Sequence, residues 1–186
     1  TKIIQSIYGE PIKEELIHKR ITEIKKGGGP VVVSSIPQRA ERFAKLAEEA
    51  GADFFVVQST VTTARHYATE YEPVSLAELK RHLSIPLIVG NTVTYEACLE
   101  LMECGIDALL MGTNDLCLEM GIPGQVGHER VREAYAKVAD ACRRHKKVLG
   151  MGGVYDQEIA SRYIGMGARL ILGGNDHGLL MEAATR

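Results

Sequence analysis

A chain of 186 residues with 45% hydrophobic and 25% charged side chains has ordinary globular composition, and its length suits a single domain. A formal net charge of −2 and a pI near 6.3 argue against a nucleic-acid binder driven by bulk charge. The apolar runs fall far short of the roughly 20 residues that span a bilayer, which argues against a membrane protein, and the opening TKIIQSIYGEP lacks a signal-peptide pattern.

Ile3 to Tyr8 is a short apolar segment that could form a strand. Pro11 opens a helix that runs to about Lys26 and is stopped by Gly27-Gly28-Gly29-Pro30. The run 30–36, PVVVSSI, predicts a strand. Residues 38–50 place Ala40, Phe43, Ala44, Ala47 and Ala50 on one helical face. Gly51-Ala52-Asp53 then leads into the strand FFVVQST. Ser75 and Glu78 form a capping box that opens a helix over 75–83. A strand follows at 85–91, IPLIVGN, and Thr94 caps a helix over 95–104. Gly105-Ile106-Asp107 introduces ALLMGTND, and a long helix covers 128–145. The strand 147–153, KVLGMGG, precedes a helix over 157–166 opened by Asp156. Gly167-Ala168-Arg169 leads into LILGGND, where Asn175 or Asp176 opens the last helix.

Three segments therefore repeat one device, a glycine at a helix end followed by a strand that is apolar at nearly every position. The glycines are 54 and 62 residues apart, which is two strand–helix units each. Alternating strands and helices without hairpin turns predict a parallel α/β fold. Strand ends rich in Gly, Asn, Thr and Asp favour a (β/α) barrel of TIM type with its site on the C-terminal face. An open doubly wound sheet is the alternative. A full barrel takes about 250 residues, so one domain over 1–186 accommodates six to seven units. Such a partial barrel exposes sheet edges, which favours a homo-oligomer. Cys98, Cys104, Cys117 and Cys142 lack C-x-x-C spacing and fit reduced thiols of a cytoplasmic protein.

Two resemblances divide the chain. Residues 3–112, carried by YGEPIKEELIHKRITEIKKGG, PVVVSSIPQRAERFAKLAEEAGADFFVVQSTV and SLAELKRHLSIPLIVGNTVTYEACLELMECGIDALLMG, resemble the IMP dehydrogenase/GMP reductase family. From about Gly112 onward, GTNDLCLEMGIPGQVGHERVREAYAKVADACRRHKKVLGMGG and YDQEIASRYIGMGARLILGGNDHGLLMEAA are similar to metal-dependent pyruvate aldolases of the HpcH/HpaI class. Together they imply a barrel recombined between 1–112 and 113–186, natural or engineered.

The aldolase resemblance implies a lyase acting on a 2-keto acid, whose carbonyl and carboxylate bind a divalent metal (magnesium, manganese or cobalt) that stabilises the enolate. Asp115 aligns with that family's metal-binding Asp, and the amides of Asn114 and Asp115 align with those that hold the keto acid's carboxylate. The second metal ligand, a Glu in the family, corresponds to Asn91 here. Glu119 could reach inward or lie on a helix surface. The dehydrogenase resemblance places Cys117 near that family's nucleophile, but the G-P-G-S-x-C-T-T loop is absent, and a small buried helix residue is the alternative. Gly152, Gly153, Gly173, Gly174 and Asn175 follow two strands where barrels frequently hold phosphate. His66 and His177 are the histidines best placed for proton transfer. The functional expectations are thus a weak aldolase-like lyase, a phosphate or purine nucleotide binder, or a barrel scaffold without catalysis.

Overall fold

The computed structural model describes residues 2–65 and 73–185. In chain order the elements are helices α1 (Lys2–Gly9) and α2 (Glu14–Lys26), strand β1 (Val32–Ser35), a 3-10 turn (Pro37–Arg39), helix α3 (Ala40–Glu49), strand β2 (Phe54–Gln58), helix α4 (Leu76–His82), strand β3 (Leu87–Thr92), helix α5 (Tyr95–Glu103) and strand β4 (Ala108–Gly112). There follow α6 (Thr113–Glu119), α7 (Glu129–His145), β5 (Val148–Gly152), α8 (Gln157–Met166), β6 (Ala168–Ile171) and α9 (Asp176–Thr185). All six strands expected from the glycine-punctuated apolar runs are present. The expected caps also form: Ser75, Thr94 and Asp156 each accept a backbone N–H from the first turn of α4, α5 and α8.

The six strands form one parallel sheet in the order β1-β2-β3-β4-β5-β6. A doubly wound sheet would reverse its strand order at a switch point. Unbroken sequential order is that of a (β/α) barrel, and the chain is a partial one. The connecting helices pack on one face of the sheet. Phe55, Val57, Leu87, Val89, Leu109, Met111, Leu149 and Met151 point to that face and join the main core with the helices. The alternate positions Val56, Ile88, Ala108 and Leu110 form a separate small cluster on the inner face, with Leu170 beside it. The inner layer thins toward the ends of the sheet, where Val32 is 53% exposed and Leu172 44%.

One expectation is corrected. Residues 3–8 do not form a strand but lie in α1. Ile3, Ile4 and Ile7 are spaced i, i+1, i+4, which suits a helical stripe as well as a short strand, and no neighbouring strand recruits them. The stripe is exposed. Helix α2 begins at Glu14, three residues beyond Pro11, and no helix among the described residues is long and apolar enough to cross a membrane.

Candidate functional site

The C-terminal ends of β1, β2 and β3 and the start of α6 enclose a cleft of about 520 Å³, lined by Ser34, Ser35, Ile36, Gln58, Ser59, Thr60, Asn91 and Asp115. Asn91 is the penultimate residue of β3 and Asp115 sits in the first turn of α6, and Asn91 Nδ2 donates to Asp115 Oδ2 at 2.9 Å. Glycine at position 112 makes this meeting possible. A Cβ there would lie 2.7 Å from both Asn91 Cβ and Asp115 Oδ2. The same close approach operates under Asn114: Gly153 adopts φ +79°, and a Cβ on it would fall 2.7 Å from Asn114 Nδ2.

The loop after β2 is tied down onto β3. Ser59 N donates to Gly90 O at 3.1 Å and Asn91 N donates to Ser59 O at 3.2 Å. Thr62, fully buried, donates its hydroxyl to Gly90 O at 2.6 Å and its N–H to Asn91 O at 2.8 Å. These bonds fix the backbone that presents Asn91. On the far side of α6, Thr113 donates to Gly152 O at 2.7 Å and shares a hydrogen bond with the Tyr135 phenol at 2.7 Å. Tyr135 stacks on Tyr163 with ring centroids 4.0 Å apart. Burial pushes the Tyr135 phenol up, so it remains a neutral hydrogen-bonding group. Thr62 and Thr113 were not singled out from sequence, although each lies in a strand-end run, QSTVT and GTND, rich in hydroxyl and amide side chains.

The other expected residues scatter. Cys117 is fully buried, and desolvation raises its thiol, which suits the packing role and not a thiolate nucleophile. Glu119 is exposed near the end of α6. Gly152 ends β5 and is buried, while Gly173 and Gly174 are exposed beyond β6. Asn175 caps α9, its Oδ1 accepting from Gly178 N at 2.6 Å. His177, exposed in the first turn of α9, does not line the cleft. His66 lies outside the described residues.

The donor set of the cleft is made of hard oxygens: one carboxylate, two amides and several hydroxyls. Asp115 Oδ2 is engaged by Asn91, and no hydrogen bond to Oδ1 is present among the described residues. Nor do three or more His, Cys, Asp or Glu side chains converge there or elsewhere among the described residues. A magnesium-like cation fits this set through a single charged protein ligand, with water and substrate oxygens completing its shell.

Residues 22–186 match the family described as IMP dehydrogenase / GMP reductase domain. An IMP dehydrogenase/GMP reductase-like protein from Corynebacterium glutamicum superposes with a TM-score of 0.71 at 27% identity, covering 91% of this chain and 46% of that one. An HpcH/HpaI aldolase from Desulfitobacterium hafniense superposes with a TM-score of 0.68 at 24% identity, covering 94% and 77%, a likeness of fold. A 4-hydroxy-4-methyl-2-oxoglutarate aldolase from Hapsidospora irregularis is 38% identical over 82 residues, 43% of this chain and 30% of that protein. A Mycolicibacterium smegmatis protein named only as an uncharacterized oxidoreductase is 23% identical over 191 residues, covering 98% of this chain and 51% of its own length. The chain thus spans about half the length of the first curated relatives it matches.

Proposed function

The chain belongs to the IMP dehydrogenase / GMP reductase domain family, and on that barrel we propose an aldolase-type lyase that takes a 2-oxo acid into the cleft at Asp115. The observation that carries this reading is the meeting of Asn91 and Asp115, 24 residues apart in sequence, at the C-terminal ends of the strands. Barrel enzymes place their chemistry on that face. The local identity to an aldolase supports the same reading, and the buried, protonated Cys117 speaks against thiolate attack on a purine.

Asp115 would hold a divalent cation, with Asn91 as an auxiliary partner; bound there, such a cation supplies Lewis-acid polarisation of the substrate carbonyl. Asn91 orients the carboxylate by donating to Oδ2 and leaves Oδ1 for the ligand. The backbone amides of Asn114 and Asp115 bind the carboxylate of the oxo acid. Gly112 and Gly153 keep those groups close enough to act on one small molecule. His66 is the proposed proton carrier; His177, which does not line the cleft, is not assigned that role. A single carboxylate ligand makes for loose cation binding and slow turnover.

Calorimetric titration of oxalate in the presence of manganese tests the reading. Oxalate should bind the parent protein and lose at least about tenfold in affinity in Asp115→Ala, the scale of effect seen on removing a metal-site group. Equal binding by the two proteins, or none by either with folding confirmed by circular dichroism, overturns it.

A further inference from the structure

We infer a second binding site, separate from the cleft at Asp115, that takes a short apolar monocarboxylic acid with its tail inward. Between α5, α6 and α7, on the helix side of the sheet, lies a cavity of about 280 Å³. It shares no lining residue with the cleft, although Thr92 and Leu116 of its wall adjoin Asn91 and Asp115 in sequence. Exposure rises from one end of the cavity to the other. Cys98, Met111, Leu116 and Val138 at its floor are buried, while Tyr95, Met120 and Ala134 along its wall are half-buried. Arg130, Glu133 and Lys137 at its mouth are exposed.

The floor selects an apolar group. The buried hydroxyl beside it is spent: Thr92 Oγ1 donates to Leu110 O at 3.3 Å and accepts from Cys98 Sγ at 3.4 Å. The Tyr95 phenol accepts from Arg144, which does not line the cavity. A polar end pushed among Met111, Leu116 and Val138 would lose its water without gaining a partner. Methylenes placed there gain from leaving water. The space is well above the roughly 150 Å³ that holds benzene in an apolar protein cavity, which leaves room for about five to eight carbons.

The mouth selects the charge. Arg130 Nη1 donates to the Met120 carbonyl at 3.0 Å, a neutral partner. Neither Arg130 nor Lys137 has a carboxylate in ion-pair contact among the described residues, Glu133 included. The three side chains follow one another along one face of α7 and place two cations and one anion at the opening. A carboxylate there meets a net positive rim and charge-assisted donors. An alkylammonium meets two like charges. A dicarboxylate would put its second charge into the floor, where nothing cationic lies.

Titration with hexanoate and hexylamine, with no divalent cation added, tests the site. Calorimetry should show a single hexanoate per chain, bound at least about tenfold more tightly than hexylamine, the scale of one hydrogen bond to a charged group. With isotope-labelled methionine methyls, hexanoate should shift the resonances of Met111 and Met120 and leave that of Met181, exposed on α9, in place. Ala134→Phe fills the cavity and should abolish binding, and Lys137→Glu should weaken it by about tenfold. Circular dichroism checks that both variants fold. Should either not fold, the methionine shifts of the parent protein still locate the ligand. Undetectable hexanoate binding, equal affinity for hexylamine, binding that survives in folded Ala134→Phe, or shifts that spare Met111 and Met120 each overturn the inference. The outcome is independent of the aldolase reading, because neither ligand is offered a metal and Asp115 lies outside the cavity.

Discussion

At the scale of single residues, the site depends on side chains that are missing as much as on those present. Gly112 and Gly153 let a carboxylate, two amides and two strand ends share one small volume. Thiols follow a different logic. Burial raises Cys98 to about 11 and Cys142 to about 12, and it also raises Cys117 and the half-buried Cys104. Fewer thiolates at a given pH mean slower alkylation. Iodoacetamide at pH 7.5 should therefore label Cys104 first and leave Cys98, Cys117 and Cys142 unmodified until denaturant is added, as followed by mass spectrometry. Early labelling of Cys117 in the folded protein would contradict its placement in the core.

At the scale of elements, the repeated Gly-x-Asp device has a mechanical meaning. Asp53, just before β2, accepts from Val31 N at 2.7 Å and from Lys25 Nζ of α2 at 2.5 Å. Asp107, just before β4, accepts from Leu87 N at 2.8 Å and pairs with Lys80 of α4 at 2.7 Å. Each Asp fastens its own strand to the preceding one and to the helix before that, so two strand–helix units act as one block. The third copy carries Arg169, which donates to the carbonyls of Ile164 and Ala168 instead. A related clamp joins α3 to the entry of β3: Glu48 Oε1 accepts from Ser84 Oγ and from the N–H groups of Ser84 and Ile85. These bonds, that of the Ser84 hydroxyl first, hold the Glu48 carboxyl below its usual range. A depressed carboxylate contributes stability that is fully present above its unfolded pKa and is lost as pH falls through the folded one. Glu48→Gln should thus lower the melting temperature by a few degrees at pH 7. The difference should shrink as pH falls through the lowered folded-state pKa of Glu48, and vanish once the carboxyl is protonated in both states. A gap that persists in acid would assign the effect to packing.

At the scale of the whole molecule, the sheet separates two unequal cores. Among the described residues the helix side gathers most of the buried apolar side chains, while the inner face has four, Val56, Ile88, Ala108 and Leu110. Adjacent leucines on β4 sample the two sides, Leu109 at 0% and Leu110 at 2% exposure. Equal burial does not mean equal support, because the inner layer is thin and can collapse around a deletion. Leu109→Ala should cost about 3–4 kcal/mol in urea unfolding, and Leu110→Ala nearer 2, the spread expected when sites differ in how well they relax. Equal costs would mean that the inner face packs as firmly as the helix side.

The amino-acid sequence by itself determined the elements that rest on neighbouring residues. Apolar runs bounded by Gly51, Gly105 and Gly167, and the caps at Ser75, Thr94 and Asp156, are local signals, and each produced its strand or helix. Asp115 was singled out by the resemblance of its GTND run to the aldolases, and the structure places it in the cleft lining. The sequential order of a barrel was expected from the strand ends, and Asn91 beside Asp115 from the aldolase resemblance; the tertiary structure alone decided the helical state of residues 3–8 and the further company Asp115 keeps, Gln58 and Ser34 on the two strands beyond β3. Periodicity reports only the chain's own turn or pleat. Which strand lies beside which, and which side chains then face one another across a cleft, follows from burying two faces of one sheet at once.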